Sequence, residues 1–268
     1  MDPERHERPS SPVQPFFEAL FAREASGGSW LPQLLAAAPY GRSRLGELAN
    51  APGWLTTPLA VRGASGRLAC FDYPANPPRQ LLRWFIDHPD RLRWVEDDTA
   101  SPGAARLRRA LVLDDPPGAQ VRAQERAREL LGTRSALARE WWRFEEPTIL
   151  DCVLITGRLV VTIVATSDEA LRPTTGWYPP RTELVRALEA ARQMAAGRRW
   201  ASLVLSGRPV TGGSDEALAR ALPEAAPHLG DVERRELHEA YLGNLTWEAA
   251  AAAVGVPTPA FPDPAGAI

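Results

Sequence analysis

The sequence predicts an α/β fold, a mixed central sheet flanked by helices with a helical region before it, on three observations. Two nearly wholly apolar, β-branched runs, Thr148 to Thr156 and Leu159 to Thr166, stand on either side of Gly157-Arg158. That pattern reads as a hairpin of two central strands. From Arg181 to Gly197 the spacing changes to a helical period, with Leu184, Ala187, Leu188, Ala191 and Ala195 on one face. Ahead of residue 135 the apolar residues follow helical spacing over most of the chain.

In chain order, Met1 to Gln14 carry charge, Pro and Ser without an apolar period and read as a mobile leader. Helical patterns follow at Pro15 to Ala25 and Trp30 to Ala38, with Ser29 placed to cap the second. Leu59 to Tyr73 reads as two short strands around Gly63 to Gly66. Further helices are predicted at Arg79 to His88, Pro102 to Val112, Ala119 to Leu131 and Ser135 to Phe144. In the second half, the amphipathic helix at Arg181 to Gly197 is introduced by Pro179-Pro180, suited to a first turn, and ended by Gly197. Trp200 to Leu205 is a third buried strand, and helices follow at Ser214 to Ala221, Asp231 to Leu242 and Thr246 to Val254. The resulting organisation is a leader over residues 1–14, a mainly helical region over 15–134, an α/β core with C-terminal helices over 135–255 and a Pro-rich tail over 256–268.

Composition narrows the chemistry. A chain of 268 residues with 44% hydrophobic side chains is able to bury a sizeable core, so wholesale disorder is excluded. All 31 basic side chains are arginine and none is lysine. Arginine stays protonated, so Schiff-base chemistry, Gly-Lys-Ser/Thr phosphate loops and lysine-dependent hydrolysis are all removed as they usually appear. A formal charge of −2 gives no global attraction to nucleic acid, which would need a local arginine patch. Cys70 and Cys152 read as reduced, buried thiols, and with no secretory or membrane-spanning segment in the sequence the expectation is a cytoplasmic protein.

The residues around the hairpin carry a resemblance. Trp141-Trp142-Arg143-Phe144-Glu145 leads into Asp151 on the first run, and Trp177-Tyr178-Pro179-Pro180-Arg181-Thr182-Glu183-Leu184 opens the amphipathic helix. This stretch, roughly residues 135 to 210, resembles a bacterial branch of the PD-(D/E)XK nucleases, with echoes in Leu82 to Trp94 and in Tyr241-Leu242-Gly243 with Thr246-Trp247. In that branch a Trp-Trp-x-Phe-Glu element precedes a metal-binding aspartate, the next strand ends in Glu-x-Lys, and a Trp-Tyr/Phe-Pro-x-Arg-x-Gln-Leu element begins the helix. The resemblance implies a restriction-endonuclease-like core, with Glu145 at the helix glutamate and Asp151 at the aspartate. The Glu-x-Lys positions fall on Val164, Ala165 and Thr166, and the helix glutamine on Glu183.

That departure removes the usual chemistry. Phosphodiester cleavage by such a site needs converging carboxylates on Mg²⁺ and a cation beside the attacking water. Val164 neither coordinates a hard cation nor accepts a proton, and Thr166 is neutral. The leading expectation is therefore a nuclease-fold protein without the usual activity, serving as a nucleic-acid-binding or protein-interaction module with DNA or a protein as partner and no cofactor. An alternative is a nuclease with a rearranged site on Glu145, Asp151 and Glu183, holding Mg²⁺ or Mn²⁺ through Asp151 and Glu183. A further alternative is a structural subunit that binds no nucleic acid.

Each site residue also has a plain reading. Glu183 and Arg186 are either solvated helix residues or parts of the rearranged site. Asp151 is either a remnant of a metal site or a strand-end cap. Arg181, Arg186, Trp177 and Tyr178 are the candidate contacts to nucleic acid or a partner, although core packing is the commoner role of Trp, including Trp141 and Trp142. The four histidines, His6, His88, His228 and His238, lack metal-ligand spacing. Thr211-Gly212-Gly213-Ser214 reads as a turn and helix cap, and the 119–131 helix as a solvated, ion-paired face.

Overall fold

A computed structural model describes residues 13–53, 71–96, 101–132, 141–166 and 170–259. Five strands, β1 (Phe71–Ala75), β2 (Thr148–Ile155), β3 (Leu159–Thr166), β4 (Arg199–Ser206) and β5 (Tyr241–Thr246), form one sheet in the order of the chain. β1, β2 and β3 pair antiparallel, whereas β3, β4 and β5 run parallel. The predicted hairpin is β2–β3, with Cys152 opposite Ile163 and Ile155 opposite Val160. Thr156 closes it, its hydroxyl accepting from the amides of Arg158 and Leu159.

β3 and β4 are parallel because the chain crosses between them through α7 (Glu183–Met194), as a parallel pair requires. The predicted face of α7, Leu184, Ala187, Leu188 and Ala191, is fully buried. It packs on Val160, Val164 and Val204, together with α8 (Asp215–Ala225) and α9 (Asp231–Glu239). Buried Thr162 joins the layers, its hydroxyl 3.1 Å from the Ala187 carbonyl and 2.6 Å from the Ser202 hydroxyl.

The opposite face of the sheet is covered by the two ends of the described chain. α1 (Val13–Arg23), α2 (Trp30–Ala37) and α10 (Trp247–Val254) bury Phe17, Trp30, Leu34 and Trp247 against Cys152, Val161, Ile163 and Leu203. A short α3 (Gly41–Leu45) follows α2. The third cluster lies among α4 (Arg79–Asp87), α5 (Pro102–Leu113) and α6 (Gln120–Gly132), and it takes in Trp141, Trp142, Phe144, Trp177 and Tyr178. α6 buries Ala123, Ala127 and Leu131, and its outer side carries the Arg126–Glu129 and Arg128–Asp87 pairs, as a solvated face should.

Several expectations need correction. The expected leader ends at Gln14, but α1 starts at Val13, because Val13 and Phe16 already face the core. Ser29 sits at the cap position of α2, yet its hydroxyl bonds the Glu24 carboxylate instead of the helix. Residues 141–144 of the predicted 135–144 helix form a turn, since Trp141, Trp142 and Phe144 must all point into one aromatic cluster, and 133–140 lie outside the described residues. The two strands predicted over 59–73 are described only from Phe71, where β1 begins. α7 starts at Glu183, so Pro179-Pro180 lies in the turn before it, and it ends at Met194, followed by Ala196 and Gly197 at positive φ of 46° and 85°. The predicted 231–242 helix stops at Glu239, and Tyr241 to Thr246 form β5. Cys152 is buried as a free thiol, and Cys70 falls outside the described residues. Ser214 does cap α8, accepting from the Ala217 amide. No helix among the described residues is long and apolar enough to cross a membrane.

Candidate functional site

Asp151 sits where β2 changes the face it presents. In a regular strand, positions 150, 152 and 154 share one face. Here Leu150 joins the α7 side, while Cys152 and Leu154 join the α1–α2 side. The partner strand changes with it, since Phe71 packs on the α1–α2 side and Tyr73 on the other, and Asp72 between them has a φ of 52°. At this break the Asp151 side chain replaces the backbone in the ladder, Oδ2 accepting from the Ala165 amide at 2.9 Å.

The bond places the Asp151 carboxylate against the end of β3 that holds Val164 and Thr166. Val164 is 3% exposed and packs with the α7 face, and Thr166 is 7% exposed. The positions aligned with the acid and the lysine are thus occupied by a packed isopropyl group and a buried hydroxyl. Glu183 lies on the first turn of α7, its Oε1 accepting from the Arg172 amide at 3.3 Å, with its own amide bonded to the Arg172 carbonyl. Among the described residues no three His, Cys, Asp or Glu side chains are grouped to hold a metal, so Glu145, Asp151 and Glu183 do not form one such group.

Glu145 is instead at the centre of a buried charge network. Its Oε1 pairs with Arg186 and accepts from the Thr174 hydroxyl at 2.7 Å, and its Oε2 lies 3.4 Å from Arg181 Nη2. Arg181 grips Glu189 with both ends of its guanidinium, at 3.0 Å and 2.6 Å, and donates to the Ala225 carbonyl at 3.0 Å. Arg186 donates to the carbonyls of Ala75 and Glu146. His228 Nε2 lies 3.3 Å from Glu189 Oε1 without hydrogen-bond geometry. Two carboxylates and two guanidiniums balance, and the network ties β1, the 144–146 loop, the 172–182 loop, α7 and α8 together.

This burial sets the charges. Desolvation pushes the Glu145 carboxyl up, but Arg181 and Arg186 more than reverse it and hold it below the usual value. Desolvation also works against the Arg181 charge, and Glu189 and Glu145 outweigh it. In Arg186 desolvation prevails and lowers the pKa, with Glu145 opposing it. Burial pushes the His228 imidazole down to about 4, against the pull of Glu189.

The contact candidates therefore point inward. Arg181 and Arg186 are 0% and 2% exposed, and Trp177 and Tyr178 are 7% and 3% exposed, which puts all four in the interior and not on a binding surface. The physical reason is that the two aromatic elements are one docking joint. Phe144 and Trp177 meet edge-on at 5.1 Å, Tyr178 meets Trp84 and Phe85 at 5.5 Å each, and Arg108 lies over the Trp177 ring. Aromatic pairs of this kind fasten α4–α6 to the sheet, and the charged residues between them supply the network behind. Sequence reading missed Glu189 and His228 as members. The available signal was that Leu184 to Ala191 leaves no polar face on α7 apart from Arg186 and Glu189, one helical turn apart. No family model, curated protein or solved structure matches the chain.

Removal of the charge-free state of His228 has a calculable effect. The folded pKa is below the unfolded value near 6.5, so the unfolded chain binds the extra proton between about pH 6.5 and 4. Stability is therefore full above that window and falls as pH drops through it, by about 3 kcal/mol in all. Urea unfolding at pH 7 and pH 4.5 measures the loss. In His228→Gln the same interval should be much flatter, and an equal loss in that variant would assign the effect to other groups.

Proposed function

We propose that the chain is a cytoplasmic PD-(D/E)XK nuclease-like protein of bacterial type without the usual cleavage activity, working as a nucleic-acid-binding or protein-interaction module. The observation that carries this reading is the arrangement at the end of the hairpin. Asp151 keeps its place at a break in β2 and bonds Ala165, while the flanking positions hold Val164 and Thr166. An aspartate retained beside an apolar and a neutral residue supports a scaffold that outlasted its chemistry. The antiparallel hairpin, crossover helix and parallel third strand are the topology this reading requires.

Two measurements on the purified chain test it. With Mg²⁺ or Mn²⁺, single- and double-stranded DNA and RNA should stay intact. Turnover abolished in Asp151→Ala and in Glu183→Gln would replace the proposal with the rearranged nuclease. Retention on a DNA duplex should weaken as salt rises, because phosphate contacts release counterions, with affinity falling by about a factor of ten or more between roughly 50 and 200 mM salt. Absence of salt-dependent DNA retention would favour the structural-subunit reading, in which the chain binds no nucleic acid.

A further inference from the structure

At the far end of the sheet from Thr166, where β3 and β4 begin, an open depression of about 500 Å³ is lined by Arg158, Arg198 and Arg199, by Gly157 and Gly197, and by Leu48 at its edge. We infer that this depression is a binding site for a small molecule carrying a diphosphate group. The inference is independent of the nuclease-fold reading and uses none of its residues.

The three arginines are brought together by the sheet itself. Leu159 pairs with Arg199 in the parallel register, so Arg158 and Arg198 stand side by side just before the strands start, and the Arg199 amide donates to the Arg158 carbonyl at 3.0 Å. Neighbouring strands are only about 4.8 Å apart, and like charges on adjacent strands repel. Among the described residues no carboxylate lines the depression, and none of the three guanidiniums pairs with one. Glu47, which precedes Leu48, is exposed and is not part of the lining.

Existing contacts use little of their hydrogen-bonding capacity. Arg158 donates to the Ala51 carbonyl at 3.2 Å, Arg198 to Ala195 at 3.4 Å and Arg199 to Arg44 at 3.1 Å. The Arg198 bond caps the C-terminus of α7 and the Arg199 bond reaches a carbonyl in the last turn of α3, and each of the three arginines still keeps donors unspent. Each guanidinium has five donors, and planar forks of that kind match phosphate oxygens two at a time. Three forks on adjacent strands supply enough paired donors for the oxygens of two linked phosphates, and the depression is open to solvent on one side. A diphosphate fits both the charge and the donors. Gly157 and Gly197 leave the walls open, since a Cβ at either would meet no atom within 4 Å.

Calorimetric titration of the full chain with inorganic pyrophosphate and with a nucleoside diphosphate tests the assignment. Saturable binding of both ligands assigns the diphosphate alone as the recognised group, and tighter binding of the nucleotide adds a contact to its base or sugar. The Arg158→Gln/Arg199→Gln double variant should lose about tenfold or more in affinity, because it removes two charge-assisted contacts. Arg235→Gln, which alters an exposed arginine on α9, should bind as wild type does. Both altered side chains in the double variant are exposed, and an unchanged melting temperature shows that the fold has been kept. No saturable binding up to about 10 mM of either ligand would overturn the proposal, as would wild-type affinity in the double variant. If a DNA duplex depends on Arg158 and Arg199 but neither diphosphate binds, the depression is a nucleic-acid contact and the small-molecule assignment is wrong.

Discussion

Arg181→Met should destabilise the protein by about 3–5 kcal/mol, the loss typical of removing one partner from a buried ion pair. Arg181 is fully buried and grips Glu189 through two bonds. Without it, Glu189 has His228 and no full positive charge beside it, and Glu145 keeps Arg186 alone. Two carboxylates would then be desolvated with one guanidinium between them. The Ala225 carbonyl also loses its donor, which loosens α8 from the loop before α7. The companion double variant Arg181→Met/Glu189→Leu should recover a large part of the loss, because a buried pair replaced by apolar groups of similar volume is often neutral. Chemical denaturation of wild type, both single variants and the double gives the coupling directly. A single-variant loss below about 1 kcal/mol would mean that water reaches the network.

Gly243→Val should cost about 3 kcal/mol or more, combining left-handed backbone strain with overpacking. Gly243 has a φ of 102°, and a Cβ there would lie 2.9 Å from Pro39. The conformation comes from a bulge: Ser202 pairs with Tyr241 and Val204 with Asn244, so three steps along β5 match two along β4. The bulge brings Asn244 to the Val210 amide and the Ser206 hydroxyl, and it lets the Leu242 carbonyl accept from the Tyr40 amide at 2.9 Å. A branched residue would displace Pro39 or straighten the bulge, and either change breaks the junction between α2 and β5. Thermal melts of Gly243→Ala and Gly243→Val should show graded losses. Equal stability in all three chains would refute the bulge.

Those two sites show why the sequence was readable in some places and opaque in others. β2, β3, β4 and α7 were legible because burial on both faces writes itself as continuous apolar runs, and burial on one side as a helical period. β5 was not, because Gly243 and Asn244, which its bulge requires, are the residues that normally argue against a strand. The aromatic spacing of 141–144 suggests a helix but is set by a tertiary cluster and not by a local period. Asp151 could be placed at the end of the hairpin, but the change of face in β2 is matched across the ladder by β1, where Asp72 has a positive φ, and that strand lies far earlier in the chain. Arg181, Arg186, Trp177 and Tyr178 look like surface-binding chemistry in one dimension. Only their partners, Glu145, Glu189, Phe85 and Phe144, turn them inward.

The pairing of α1 with α10 joins segments that are made far apart in time. Arg23 donates to the Gly255 carbonyl 232 positions away, and Phe16 packs edge-on against Trp247 at 5.5 Å. On a ribosome α1 therefore emerges long before α10, its neighbour in the fold. Because the strands lie side by side in the order in which they are synthesised, the sheet is able to extend one strand at a time while Phe17, Trp30 and Leu34 find provisional cover on β2 and β3. α10 completes the cover of this face, and until it is made Phe16 lacks its edge-on partner and α1 keeps apolar surface uncovered, the kind of surface that invites aggregation.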